Sequence, residues 1–161
     1  MTLRSSPVRT LAQVEQLRQI RNACLPGFAH HNEPISPEQQ LAWWKVNRKV
    51  VRAWLYTAGR EVVGFGLLKR DAQGRQWYTV AVLPEQRGQG YGHQITRDVV
   101  LKAAPEQVWS AVPRDNLASQ RCHDPAGWQL IESSDRSVVC FRSWPLNVAR
   151  SSWAMVGAVT A

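Results

Sequence analysis

Three glycines at alternate positions, Gly88, Gly90 and Gly92, follow Arg87 near the middle of the chain. An apolar run with strand character precedes them, and residues 94–103 have the apolar spacing of a helix. The N-terminus of a helix has unpaired backbone N–H groups and a partial positive charge, so it favours a phosphate. Glycines let a phosphate approach those groups, and Arg87 adds a cation beside them. The pattern therefore predicts a turn that binds a phosphate or a pyrophosphate.

Known phosphate-binding motifs differ in the residues that come directly after the glycines. A P-loop requires Gly-Lys and then Ser or Thr, whereas His93 comes after Gly92. A dinucleotide-binding fingerprint requires a third small residue where His93 stands, and it usually lies on the first strand. Two readings remain: Arg-x-x-Gly-x-Gly over residues 87–92, or a glycine-rich turn that binds nothing.

Residues 87–92 resemble motif A of the GNAT superfamily of N-acetyltransferases, where this motif binds the pyrophosphate of acetyl-coenzyme A. A second group of residues stands in the right order at the spacing of the family's later signature: Asn116, Ser119, Gly127 and Trp128. The usual Tyr of that signature is absent, and His123 occupies its position. Two motifs in order are more specific than either alone, so the chain is identified as a member of this superfamily.

The resemblance implies acetyl-coenzyme A as the acyl donor and no metal. It also implies that the pantetheine arm pairs with the strand before the turn as an added strand, and that one N–H of that strand polarises the thioester oxygen. The residues expected to bind the donor are Val80, Ala81, Val82, Arg87, Gly88, Gln89, Gly90, Tyr91, Gly92, His93, Asn116 and Ser119.

His123 is the candidate general acid, since the Tyr at this position of the family is taken to protonate the departing thiolate. The unperturbed pKa of His is about 6.5 and that of Tyr about 10, so His123 donates at neutral pH only if a neighbour such as Asp124 raises its pKa. The alternative is that His123 only packs near the sulfur of the donor.

The general base is less clear from the sequence. Some relatives have a Glu on the strand five residues before the Asn, where this chain has Ala111. The candidates therefore lie in the loop between the first two helices, which helps to form the acceptor pocket in the family. They are His30, His31 and Glu33, with Asp115 and Tyr78 behind them and a water chain as the alternative.

Apolar periodicity and turn residues predict an α/β (α+β) order of elements, and the resemblance implies the GNAT fold. It has about four helices, a β-meander, a central sheet of six to seven strands and a splayed parallel pair at the donor site. The helices are predicted over residues 10–24, from Ser36 onward with a capping box to Gln39, and over residues 94–103 and 116–126. The strands are predicted over residues 50–57, 61–70, 75–83, 107–112, 128–133 and 136–143.

The composition agrees with one globular domain, expected over residues 1–145, with a tail of unassigned role at residues 146–161. The chain has 161 residues, of which 44% are hydrophobic, and no apolar run reaches the length of a membrane span. Three cysteines without metal-ligand spacing indicate reduced thiols in a cytoplasmic protein. A net charge of +8 suits a polyanionic donor and an acidic acceptor, and nucleic acid is only weakly indicated because the cations are scattered.

The sequence thus predicts an N-acetyltransferase, monomeric or homodimeric, that acts on a primary amine by direct attack in a ternary complex. Residues 17–22 and 35–44 loosely resemble the branch that acetylates amino sugars and protein N-termini. This similarity favours a small amine or amino sugar as acceptor, with a protein N-terminus or aminoacyl-tRNA also open. The alternative is a catalytically weak protein of the same fold that binds coenzyme A, nucleic acid or another partner.

Overall fold

Short apolar runs separated by turns form the strands and helices of this protein. The structure is a computed structural model that describes residues 3–123, 127–131, 133, 135 and 137–143. In these residues the strands are β1 (Leu3–Pro7), β2 (Val51–Ala58), β3 (Glu61–Arg70), β4 (Gln76–Val82), β5 (Val108–Pro113), β6 (Trp128–Ile131) and β7 (Val138–Ser143). The helices are α1 (Leu11–Ala23), α2 (Pro37–Asn47), α3 (Tyr91–Ala103) and α4 (Leu117–Gln120), with a 3₁₀ turn at Pro84–Gln86.

The described strands form one mixed sheet in the order β1-β2-β3-β4-β5-β7-β6. All neighbouring strands are antiparallel except β4 and β5, which are joined through α3 and run parallel. That parallel pair has only two register pairs, Gln76 with Val108 and Trp77 with Trp109. The predicted meander and splayed parallel pair are therefore confirmed.

Helices cover both faces of the sheet, so its central strands are apolar on both sides. In β2, Leu55 packs in the core beneath α1 and α2, whereas the adjacent Tyr56 packs in the core beneath α3. Ile95 and Val99 of α3 are completely buried in the second of these cores. Alternate side chains of β4 likewise pack in the two cores, so this strand lies between both helical layers.

The structure differs from the sequence prediction at several element ends. Strand β1 was not predicted, because its residues are polar and mostly exposed and only its pairing with β2 makes it a strand. Helix α3 begins at Tyr91 and not at residue 94, directly after its N-cap Gly90, whose left-handed backbone ends the preceding turn. Helix α4 is shorter than predicted, at Leu117–Gln120. Asp124 and the predicted tail at 146–161 lie outside the described residues.

No helix among the described residues is long and apolar enough to cross a membrane.

Candidate active site

The strands β4 and β5 separate after their two register pairs, and a cavity of about 1270 Å³ opens between them. Its walls come from strands β3, β4 and β5, from the first turn of α3 and from α4, and from α1 and α2 with the segment that joins them. Four guanidinium or ammonium side chains line it against one carboxylate, that of Asp115. The cavity is therefore electropositive, which suits a polyanionic ligand.

The glycine turn forms one end of this cavity. Gly88 and Gly90 have φ angles of 78° and 77°, in the left-handed region that glycine adopts without strain. A Cβ at either position would meet no atom within 4 Å, so the space above the turn is open. Gly90 caps α3 without a side-chain hydrogen bond, which leaves the first N–H groups of this helix available. These features fit a pyrophosphate.

The predicted donor residues around the turn are brought together, with one exception. Gly88, Gly90, Tyr91, Gly92 and His93 line the cavity, whereas Gln89 does not and bonds Gln86 instead. The guanidinium of Arg87 is exposed at the rim, and its Nε donates to the carbonyl of Val82 at 3.2 Å. That bond fixes the cation beside the turn.

The backbone of β4 presents one residue to the gap between the strands. The Val82 carbonyl accepts from Arg87 and from the thiol of Cys24, so it points away from β3. The Ala81 carbonyl points toward β3, since a Cβ on Gly64 would lie 2.1 Å from it. Because backbone groups alternate between the two edges of a strand, Val80 directs its N–H and carbonyl into the gap, on the same side as Val82.

Asn116 connects the donor side of the cavity to the segment after α1. Its Oδ1 accepts from the N–H of Ser119 at 3.1 Å and so caps α4. Its Nδ2 donates to the carbonyl of Gly27 at 3.2 Å. Both Asn116 and Ser119 line the cavity, as the second motif predicts.

His123 is buried, with 5% of its surface exposed, and does not itself line the cavity. Its Nδ1 lies 2.9 Å from the Ser119 carbonyl, which can only accept, so the ring proton is on Nδ1. Nε2 therefore accepts from the hydroxyl of Tyr78 at 2.5 Å. The ring stacks on Phe141 and meets the edge of Trp128. Burial lowers the pKa of His123 to about 4, so the ring is neutral at neutral pH.

Tyr78 is the member of this pair that reaches the cavity, where Thr96, Ser110 and Cys122 also contribute lining. Burial raises the pKa of the Tyr78 phenol, so it stays protonated. Burial also raises the pKa of the Cys122 thiol, whose hydrogen-bond partner is the carbonyl of Ala118. A thiol of this kind is a poor nucleophile.

The loop between α1 and α2 is held by Arg21, whose guanidinium donates to the carbonyls of His31 and Glu33. His30 and His31 line the cavity, and the side chain of His31 is exposed while that of His30 is partly buried. Glu33 is also exposed, but it is not part of the cavity wall. The structure thus brings the histidine candidates to the cavity and leaves the carboxylate outside it.

The opposite end of the cavity contains residues that the sequence did not single out as site residues. Gln40 and Trp43 of α2 line it together with Lys69 of β3 and Trp77 of β4. Gln40 is buried at 3% exposure, and its Nε2 has no hydrogen-bond partner among the residues that the structure describes. Lys69 could have been noticed in the sequence, because this charged residue continues a face of its strand that is otherwise apolar.

No group of three or more His, Cys, Asp or Glu side chains suited to a metal ion occurs in the part of the chain that the structure describes.

Solved structures with the same fold include several acetyltransferases. The yncA protein of Salmonella typhimurium, solved with acetyl-CoA, has a TM-score of 0.68 at 16% identity, over 88% of this chain and 94% of that one. A phosphinothricin acetyltransferase of Sinorhizobium meliloti, solved with acetyl-CoA, has a TM-score of 0.69 at 19% identity, over 89% and 87%. The ribosomal-protein-alanine N-acetyltransferase of Brucella melitensis has a TM-score of 0.70 at 18% identity, over 89% and 99%.

At these identities the solved structures show the fold, and the family follows from the sequence. No curated protein sequence matches the chain. The sequence model of the acetyltransferase (GNAT) family matches residues 14–128, which include the glycine turn, the gap between β4 and β5, and the second motif. The chain therefore belongs to the GNAT family of acetyltransferases, whose acyl donor is acetyl-coenzyme A.

Proposed function

We propose that this acetyltransferase transfers an acetyl group from acetyl-coenzyme A to the primary amine of a small acceptor by direct attack in a ternary complex. The observation that carries the proposal is the continuous path from the glycine turn along the free edge of β4. One end of that path suits a pyrophosphate, and the other opens on a pocket lined from α1 and α2.

Val80 is the residue proposed to activate the thioester. Its backbone N–H faces the gap and is suited to donate to the thioester oxygen, which becomes more negative as the amine attacks. The Val80 carbonyl faces the same gap and is suited to accept from an amide of the pantetheine arm. The Val82 carbonyl already accepts from Arg87 and Cys24, so it is less available for the same purpose.

His123 is proposed to position Tyr78 and α4, and not to donate a proton as its place in the motif suggested. With Nδ1 bonded to Ser119 and Nε2 accepting from Tyr78, the neutral ring has no proton to present to the cavity. The raised pKa of Tyr78 makes its phenol a weak acid. Coenzyme A, like free Cys with a pKa of about 8.5, is a fair leaving group without a dedicated acid.

The transfer then needs no external proton, because the amine releases the proton that the leaving thiolate takes up. The C–N bond forms, the C–S bond breaks, and the proton lost by the attacking nitrogen is taken up by the thiolate sulfur, directly or through water. The amine must first be neutral, and His30 and His31 or a water chain at the cavity mouth are the proposed bases. Glu33 is a weaker candidate, because it does not line the cavity.

A coenzyme A-binding protein without transfer activity is the second candidate. Two observations favour it: His123 replaces the usual Tyr, and Ala111 stands where some relatives have a carboxylate on β5. Cys122 does not offer a third route through an acyl-enzyme, because burial raises its pKa.

The two candidates are separated by calorimetry with acetyl-coenzyme A followed by an acceptor screen that measures released thiol. The screen contains amines, amino sugars, peptides and aminoacyl-tRNA, and Gly90→Asp serves as the variant with a damaged donor site. Thiol release that depends on an acceptor and is lost in this variant supports the enzyme. Tight binding without release from any acceptor supports the binding protein, and absence of binding contradicts both.

A further inference from the structure

The end of the cavity away from the glycine turn combines a buried donor with an unpaired cation. The Nε2 of Gln40 is buried and has no partner in the described part of the chain, although a buried amide N–H is normally bonded. Lys69 is partly buried, and its ammonium forms no ion pair with any residue that the structure describes. The Nζ of Lys69 lies over the ring of Trp43, 5.7 Å from the ring centroid. Both side chains line the same cavity.

These two groups are complementary to a carboxylate. An anion that receives a hydrogen bond from the Gln40 amide would supply its missing partner, and the Lys69 ammonium would neutralise its charge. The adjacent Trp43 and Trp77 provide flat apolar walls for the part of the ligand between its two polar ends. Among the described residues, the only Asp or Glu that lines the cavity is Asp115, which belongs to the segment before α4 at the donor side.

We propose that Gln40 and Lys69 form an anion subsite that selects primary amines carrying a carboxylate. The inference rests on the proposed function, since it assigns the acceptor class of the same cavity.

The register of β3 and β4 sets the separation between the amine and the carboxylate of such an acceptor. Lys69 pairs with Trp77 across the two strands, and Val80 follows three residues later in β4. At about 3.3 Å per residue, the subsite lies about 10 Å from the thioester-activating N–H. An acceptor with several methylene groups between its amine and its carboxylate spans most of this distance, so 6-aminohexanoate is a suitable probe. Hexylamine has the same number of carbon atoms but no carboxylate, and it is the control acceptor.

The first test compares kcat/KM for 6-aminohexanoate and hexylamine at saturating acetyl-coenzyme A. We expect kcat/KM of the wild-type protein to be at least about 10-fold higher for 6-aminohexanoate, because hexylamine cannot form the charge-assisted hydrogen bond with the subsite. Lys69→Met should lower kcat/KM for 6-aminohexanoate about 10-fold more than for hexylamine. Lys45→Met, an exposed lysine of α2 outside the cavity wall, is the matched control and should leave the preference unchanged.

Gln40→Leu distinguishes binding from a structural role. Replacement of an unpartnered buried amide by an apolar side chain of similar size should raise the thermal unfolding midpoint, while the preference for 6-aminohexanoate falls. A variant that loses both stability and activity toward the two amines alike would contradict the assignment of Gln40.

Titration of 6-aminohexanoate into the coenzyme A-saturated protein tests the subsite without transfer. The subsite is supported if 6-aminohexanoate binds and if Lys69→Met weakens this binding while Lys45→Met does not. If this result is obtained without any acetyl transfer, the proposed function fails alone. Transfer to both amines at equal efficiency overturns the subsite and leaves the proposed function standing. Absence of both binding and transfer overturns both.

Discussion

The buried, neutral state of His123 predicts that the stability of this protein depends on pH in a specific window. The pKa of this imidazole is about 4 in the folded protein and about 6.5 in the unfolded chain. Below pH 6.5 the unfolded chain binds a proton that the folded protein does not, so the folded state loses stability as the pH falls from 6.5 toward 4. Above pH 6.5 the contribution is fully present.

The size of the effect follows from the two pKa values. At pH 5 nearly all of the unfolded chains and few of the folded molecules are protonated at His123, which corresponds to a loss of about 2 kcal/mol relative to pH 7. Other groups titrate in the same range, so the useful quantity is a difference between variants. His123→Gln has no titrating ring, and its free energy of unfolding should fall by about 2 kcal/mol less than that of the wild-type protein between pH 7 and pH 5.

Urea unfolding of both proteins at several pH values from 5 to 7.5 measures this difference. If His123→Gln is too unstable for urea titration, the pKa can be measured directly from the imidazole C–H resonances of the wild-type protein by NMR. Parallel stability profiles, or an imidazole that titrates near pH 6.5 in the folded state, would refute the arrangement in which Nε2 accepts from Tyr78. In that case His123 would again be available as a proton donor.

Two further substitutions test the donor site, and a third tests the packing of β3 against β4. Gly90→Asp introduces a residue that tolerates the left-handed region, so folding should be retained, but it places a carboxylate at the cap of α3. Steady-state kinetics should then show that KM for acetyl-coenzyme A rises at least about 10-fold. Arg87→Gln should raise the same KM about 3- to 10-fold, and the ratio to wild type should shrink at high salt; an unchanged ratio would mean that the charge is not used. Gly64→Ala places a Cβ 2.1 Å from the Ala81 carbonyl, so urea unfolding should show a loss of about 2 kcal/mol or more, and full stability would contradict the close approach of β3 and β4.

The proposed donor half of the site is visible in the sequence because its residues are close together in the chain. A phosphate-binding turn needs glycines at fixed offsets beside a helix start, and that requirement leaves a pattern at Gly88 and Gly90. The second motif is similarly local, since Asn116 caps the helix that contains Ser119. Local hydrogen bonds of this kind constrain spacing, and spacing is visible in a sequence.

The acceptor half could not be predicted in the same way. Gln40 and Lys69 are single residues on α2 and β3, and only the packing of α2 against the sheet brings them to one cavity. The role of His123 could not be predicted from the sequence either, because it also depends on residues that are distant in the chain. Its position in the motif suggested a proton donor, but its ring is neutral because it is buried, and its Nε2 accepts from Tyr78, 45 residues away in the chain. Strand β1 was missed because its stability comes from pairing with β2 and not from its own composition.

The short contact between β4 and β5 also makes this the place where the fewest register pairs join neighbouring strands of the described sheet. Two register pairs join the half of the sheet formed by β1 to β4 to the half formed by β5 to β7. Separation of the two halves at this seam breaks few backbone hydrogen bonds, so the resistance to opening comes mainly from side-chain packing. A molecule that bonds to both sides of the gap acts as a clamp, and its binding free energy adds to the free energy needed to pull the halves apart. The proposed binding of acetyl-coenzyme A in this gap therefore predicts that the substrate reinforces the sheet where the sheet is least continuous.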